Sequence, residues 1–177
     1  MTTTENAINR PFWESLSRLI TAIRQNHALE HATIHVLSQR HPGIAVMGRS
    51  TPTGFYLYGQ APTALVASAT AEALARLQAG ERSLAIHPRC GTNLAVSAVL
   101  AGIGAMLAMS RRRRPWYETA PNVFLAVTIG LFLAQPVGYS VQERITTIAD
   151  LSNVHIAGIT QQWAGGQMVH RIDLTRD

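Results

Sequence analysis

Three side chains of metal-ligand type lie within five residues of each other, at His27, Glu30 and His31. On a helix, residues at i, i+3 and i+4 project from one face. Two imidazoles one turn apart can both reach one divalent metal, at about 2.0–2.1 Å per bond to zinc. We therefore predict His27 and His31 as zinc ligands. His35 continues the same polar face by a further turn, which a purely structural helix would not need.

The order of these residues adds a role for the glutamate. H-x-x-E-H is the inverted zinc-peptidase motif, in which both histidines hold zinc and the glutamate handles a proton. Glu30 is thus predicted either as a general base or as a group that orients a ligand. The alternative is a helix with two unrelated surface histidines, because a five-residue motif with only three fixed positions is a weak pattern on its own.

The only cysteine of the chain lies in a turn of sequence His87-Pro-Arg-Cys90-Gly-Thr-Asn93. Thiolate is a strong zinc ligand, and a helix N-terminus favours it by lowering the thiol pKa. We predict Cys90 as a third ligand and His87 as a candidate fourth, with Thr92 or Asn93 capping the following helix. The alternatives are an inert buried cysteine and a thiol enzyme that uses Cys90 with a histidine.

The remaining candidates rank below this set. His155 and His170 fall on two late β-prone segments and could meet across a hairpin, although half-exposed strand histidines are the commoner case. Glu72 is a conceivable carboxylate ligand, and His41 is expected to be a helix-end residue.

Composition restricts the classes of partner. All fifteen basic residues are arginine, the net charge is +5, and 14% of residues are charged, against about 25% in a typical soluble domain. Four arginines form one run, Arg111 to Arg114, directly after an apolar segment, where basic residues anchor a helix at lipid headgroups. No basic stripe interleaved with aromatics resembles a nucleic-acid surface, so we expect no nucleic-acid partner. A single cysteine excludes an intramolecular disulfide.

Two apolar segments predict a transmembrane helical hairpin. Residues 94–109 carry no charge, and the second segment runs from Pro121 to Tyr139 at its longest. Both are near the lower limit of about 17–25 residues for a span, so a buried soluble hairpin is the alternative. Trp116 and Tyr117 resemble an interfacial belt. Small residues give the first helix a face that a neighbour can approach closely, namely Ala101, Gly102, Ala105 and Ala108.

The predicted fold class is an α+β membrane protein with amphipathic and H-x-x-E-H helices, two β-hairpins able to join one antiparallel sheet, and the two-helix transmembrane hairpin. A helix opens at Pro11 and either continues through Leu37 or breaks near Asn26, a good N-cap residue. Further elements are a hairpin of residues 44–47 and 55–58, a helix after Pro62, and a hairpin of residues 154–160 and 168–174. The domains are 1–9 (disordered tail), 10–92 (N-terminal α+β lobe), 93–139 (transmembrane hairpin with basic loop 110–121) and 140–177 (β-hairpin segment packing on the first lobe).

The quoted motifs also carry a resemblance. The segments N-H-A-L-E-H-A-T (26–33), G-F-Y-L-Y-G (54–59) and A-I-H-P-R-C-G-T-N (85–93) together resemble a bacterial family of small membrane proteins of unknown function, over nearly the whole chain from about residue 23. The pairing of H-x-x-E-H with a later H-P-x-C-G-T is similar to that of a larger family of multi-helix bacterial membrane proteins. The resemblance implies architecture and a shared site, not a reaction.

Our first hypothesis is a membrane-anchored metal-binding protein, with zinc as the cofactor, in the bacterial cytoplasmic (inner) membrane as a multi-pass protein. Three protein ligands would leave an open position, as in a hydrolase or peptidase acting at the membrane surface, whereas four would close the site. The alternative is a non-enzymatic accessory or scaffold subunit with a structural metal or haem site. Expected partners are the lipid bilayer and other membrane helices or a second copy. The side of the soluble lobes stays open.

Overall fold

The computed structural model describes residues 11–110 and 115–177. The described residues group into two units, residues 11–85 with 147–177, and residues 86–146. The first unit is α+β and the second is helical. The elements in chain order are α1 (Phe12–Arg40), β1 (Met47–Thr51), β2 (Gly54–Tyr58), α2 (Thr63–Gln78), a 3₁₀ turn (Arg82–Ala85), α3 (Gly91–Met109), α4 (Trp116–Val141), a π-helical turn (Gln142–Thr146), β3 (Val154–Ala164) and β4 (Gln167–Arg176).

The strands of the first unit form one antiparallel sheet in the order β1-β2-β4-β3, so the two predicted hairpins do join. The first hairpin differs from its prediction in the extent of its first strand, because residues 44–46 were predicted as strand but β1 begins only at Met47. Residues 48–51, expected in the loop, pair with residues 54–57, and only Pro52 and Thr53 form the turn. Residues 48–51 form a strand despite the low strand propensity of glycine and serine, because their backbone pairs with β2, which in turn pairs with β4.

Of the two alternatives for α1, the continuous helix is the one observed, and it runs from Phe12 to Arg40 without a break at Asn26. Asn26 and its neighbour Gln25 are buried, and their side chains are committed to tertiary bonds. Asn26 Nδ2 donates to the Thr51 carbonyl at 2.6 Å, and Gln25 Nε2 donates to the Asp150 carbonyl at 2.9 Å. Because both side chains are bonded to distant residues, they do not compete for the nearby backbone groups of the helix. That competition is what makes asparagine favour helix starts.

The core of the first unit lies between α1, α2 and the sheet. The helix predicted after Pro62 is α2, and five of its apolar side chains share one buried face, namely Val66, Ala69, Ala73, Leu74 and Leu77. They pack with the middle of α1 and with inward-facing strand residues such as Phe55 and Ile172, which are directly paired between β2 and β4. This packing holds the H-x-x-E-H segment of α1 inside the unit.

The second unit is the α3–α4 helix pair. A Cβ on Gly104 would lie 2.7 Å from the Ala126 carbonyl oxygen, and one on Gly130 would lie 2.8 Å from that of Leu100. The backbones thus approach closely through small residues, as predicted, but Gly104 makes the contact and Gly102 meets no atom within 4 Å. By length and composition, Gly91–Met109 and Trp116–Thr146 are both able to cross a membrane.

The basic loop between these helices is shorter than predicted. Its arginine run, residues 111–114, lies outside the described residues, but Trp116 through Pro121 are helical. Pro121 and Pro136 lie within α4, and prolines are more frequent in membrane-spanning helices than in soluble ones. Pro121 therefore does not mark the end of the loop as was predicted, because it lies inside α4.

A buried histidine in β4 makes the stability of the first unit depend on pH. His170 is fully buried, its Nε2 lies 3.2 Å from Thr63 Oγ1, and its Nδ1 has no hydrogen-bond partner among the described residues. Burial lowers the pKa of His170, because removal from water disfavours the charged imidazolium.

We expect the free energy of unfolding to fall as the pH drops below about 6.5. In this range His170 binds a proton in the unfolded chain but stays neutral in the folded protein. The loss from this group is at most about 1.4 kcal/mol per pH unit. His170→Gln, which keeps a polar group near Thr63, should remove this part of the pH dependence. Denaturant unfolding at neutral and mildly acidic pH measures it, and equal pH dependence in both proteins would contradict the prediction.

Candidate metal centre

The two motif histidines lie one turn apart in the buried middle of α1. The imidazole rings of His27 and His31 have centroids 4.2 Å apart and meet edge to face. His31 is 2% exposed, and His27 is half-buried. The i, i+4 spacing therefore does bring the two rings together, as predicted from the sequence.

The protonation of His31 follows from its hydrogen bond. His31 Nδ1 lies 2.7 Å from the carbonyl oxygen of Ala85, at the end of the 3₁₀ turn. A carbonyl oxygen only accepts, so Nδ1 carries the proton, and in the neutral ring the lone pair is on Nε2. Metal-binding histidines are oriented in this way, with the other ring nitrogen donating to a carbonyl or carboxylate. Ala85 gave no signal in the sequence, because a backbone acceptor leaves no side-chain pattern.

Glu30 points toward strand β1. Its carboxylate is buried, and Ser50 Oγ donates to Glu30 Oε2 at 2.5 Å. Gly48 makes room for it, since a Cβ there would lie 2.1 Å from Glu30 Oε1. The sequence analysis assigned no role to Gly48 or Ser50, although a glycine inside a strand is a recognised sign of close approach.

In the second unit, Cys90 itself caps α3. Its Sγ accepts from the Thr92 backbone N–H at 3.4 Å, so neither Thr92 nor Asn93 is the cap that was predicted. Asn93 fails as a cap because its side-chain Nδ2 donates back to the Pro88 carbonyl at 2.8 Å. The Cys90 sulfur therefore faces the N-terminal amides of α3, where a thiolate is stabilised.

The geometry around His87 favours the tautomer that keeps a proton on Nε2. The Arg89 backbone N–H donates to His87 Nδ1 at 3.2 Å, so Nδ1 is the unprotonated nitrogen. Ligation through Nε2 would require the opposite tautomer and the loss of this hydrogen bond. His87 Nδ1 is thus engaged within its own turn, and His87 as a fourth ligand stays a prediction.

A buried amide holds the Cys90 turn in place. Gln142 is fully buried, and its Oε1 accepts from the His87 backbone N–H at 2.9 Å. Its Nε2 donates to Asn93 Oδ1 at 2.7 Å, and the bond from Asn93 to Pro88 completes the chain. Sequence analysis missed Gln142, because a glutamine some fifty positions from the turn shows no spacing that links the two.

The lower-ranked candidates have other partners. His155 and His170 do not meet, because the register places His155 opposite Thr175 and His170 opposite Gln161. His155 is exposed and lies 2.9 Å from Asp177 Oδ2, whereas His170 is buried rather than half-exposed. Glu72 forms ion pairs with Arg40 and Arg76, which explains its charge without a metal. His41 does end α1, as its C-cap residue.

The structure is that of an α+β protein with a histidine pair on its first helix, His27 half-buried and His31 buried, and with two apolar helices of membrane-spanning length. The chain belongs to the family described as a domain of unknown function, DUF6391, whose model matches residues 22–159. An uncharacterized protein of Picosynechococcus sp. is 36% identical over 145 residues, covering 76% of this chain and 70% of that protein. No solved structure matches the chain significantly. The predicted membership of an uncharacterised family is thereby confirmed.

Proposed function

We propose that the protein is a membrane-anchored metal-binding protein in which His27, His31 and Cys90 together bind one zinc ion. The observation that carries the proposal is the bond from His31 Nδ1 to the Ala85 carbonyl. With Nδ1 donating, Nε2 is the nitrogen through which the neutral ring can bind a metal, and a second imidazole lies one turn away. A histidine pair with one ring already oriented by a backbone carbonyl is typical of metal sites.

The chain itself tethers Cys90 to this histidine pair. Ala85, whose carbonyl binds His31, is five residues before Cys90. Five residues span at most about 18 Å when fully extended. The turn shortens this reach, because the Cys90 N–H donates to the His87 carbonyl at 3.2 Å. Two imidazoles and a thiolate are the ligand types that zinc prefers.

Three protein ligands leave a fourth position open, as in catalytic zinc sites. On this basis we extend the proposal to a metal-dependent hydrolase acting on peptides at the membrane surface. Glu30 is the candidate general base. It is next to His31 on α1, and its side chain is buried against strand β1. Glu30→Gln should then retain zinc and lose hydrolysis, whereas a purely structural Glu30 would leave hydrolysis unchanged.

The exposed side chains of α3 and α4 support anchoring in a bilayer. Both helices are apolar on their outer faces, and large side chains such as Leu94, Met106, Phe124 and Phe132 are 73–79% exposed. In water these side chains would form a large exposed apolar patch. In the hydrocarbon core of a bilayer an apolar surface is the favourable kind. We propose that this helix pair anchors the protein in the bacterial cytoplasmic membrane.

Zinc analysis of the purified protein tests the proposal. We expect one zinc per chain in the wild type and almost none in His31→Ala or Cys90→Ala, because each variant removes one of three ligands. His41→Ala is the matched control, since His41 caps the end of α1 and should leave the zinc content unchanged. Folded wild-type protein without zinc, or full zinc in Cys90→Ala, would refute the three-ligand site.

A further inference from the structure

The first half of α1 carries an apolar surface that the described residues do not cover. Phe12 and Trp13 are 78% and 70% exposed, and Leu16, Leu19 and Ile20 are 42–48% exposed. From Gln25 onward the same helix enters the core of the first unit. The exposed surface is therefore confined to residues 12–24, which span about 20 Å of helix at 1.5 Å per residue.

The apolar side chains of this segment share one face. At about 100° per residue, Phe12, Leu16, Leu19, Ile20, Ile23 and Trp13 fall within an arc of roughly 120°. The remaining arc holds polar or small residues, including Ser15, Arg18 and Thr21. The segment is thus amphipathic over its whole length, and Trp13 lies at the edge of the apolar arc.

A lipid surface fits this face better than another helix does. A coiled-coil partner would require apolar heptads over at least about three or four repeats, and this segment has fewer than two. Tryptophan at the boundary between apolar and polar faces is typical of helices lying in the membrane interface. We propose that residues 12–24 lie in the plane of the bilayer surface with Trp13 among the lipid headgroups. This step rests on the proposed anchoring of the α3–α4 pair, which brings the chain to a bilayer.

The three tryptophans of the full chain provide the test. Single-tryptophan proteins, with the other two replaced by phenylalanine, are reconstituted into phosphatidylcholine–phosphatidylglycerol vesicles that carry brominated acyl chains as quenchers. We expect Trp13 fluorescence to fall about twofold, most strongly with bromines near the headgroups, since interfacial helices lie about 5–10 Å deep. Trp163, which is exposed on β3, is the control that should remain unquenched.

Trp116 separates the two proposals. It opens α4, so its quenching reports the anchoring alone. Quenched Trp116 with unquenched Trp13 would overturn the interfacial helix and leave the anchor standing, whereas two unquenched residues would overturn both. Leu16→Glu with Ile20→Glu should abolish the quenching of Trp13, and Ser15→Glu with Thr21→Glu, which adds the same charge to the polar face, should preserve it.

Discussion

Replacing Gly48 with valine is expected to lower the free energy of unfolding by about 3 kcal/mol. The first side-chain atom at this position would lie 2.1 Å from Glu30 Oε1 and 2.4 Å from its Cδ, distances that no real contact allows. Glu30 is buried, and its other oxygen is bonded to Ser50, so the carboxylate can yield only by breaking that bond. The variant should also bind zinc more weakly, because Glu30 and His31 are adjacent on α1.

The matched control is Gly158→Val on β3, where a Cβ would meet no atom within 4 Å. Thermal unfolding of the detergent-solubilised protein, followed by near-ultraviolet circular dichroism, compares the two variants. Gly158→Val should unfold close to the wild-type temperature, because valine suits a strand. Equal unfolding temperatures for Gly48→Val and the wild type would mean that Glu30 is not confined against β1.

Replacing Gln142 with leucine is expected to loosen the Cys90 turn. The substitution leaves the His87 N–H and Asn93 Oδ1 without the hydrogen bonds of 2.9 and 2.7 Å that they now make with Gln142. A fully buried group left without its partner costs about 1–3 kcal/mol, and since these two bonds are part-buried we expect a cost toward the lower end of that range. Leucine has similar volume and adds apolar surface, so the effect isolates the lost hydrogen bonds from a packing defect.

The readout is the alkylation rate of the Cys90 thiol. Because Cys90 is only 8% exposed, we expect its alkylation to require opening of the turn, so a destabilisation of about 1.4 kcal/mol should raise the rate about tenfold in metal-free protein. Gln135→Leu is the control, because Gln135 is exposed on α4 and bonds only to Tyr139 among the described contacts. An alkylation rate in Gln142→Leu equal to that of the control would show that the amide does not hold the turn.

The sequence predicted the parts of the fold that depend on local periodicity. The buried face of α2 follows the helical repeat of five apolar residues, and the second hairpin follows the turn residues Gly165–Gly166. The same local argument brought His27 and His31 together, since i, i+4 spacing fixes their distance once the segment is helical.

Features that depend on distant partners could not be predicted. Asn26 is a preferred helix-starting residue, but its bond to Thr51 keeps it inside α1. The bond from His31 to Ala85 and the amide bridge of Gln142 join residues some fifty positions apart, without any periodic signal. Cys90 rather than Thr92 caps α3 because the chain enters the helix at Cys90. The preferences of residue types for cap positions do not predict the backbone geometry that decides this.

The absorption spectrum of the protein loaded with cobalt(II) tests the proposed metal centre most directly, since cobalt replaces zinc and reports its ligands. We predict tetrahedral d–d bands together with a thiolate-to-cobalt charge-transfer band in the near ultraviolet. In Cys90→Ser the charge-transfer band should vanish, and in His31→Ala all bands should weaken together. A cobalt spectrum without thiolate charge transfer in the wild-type protein, or one that Cys90→Ser leaves unchanged, would contradict a centre built from His27, His31 and Cys90.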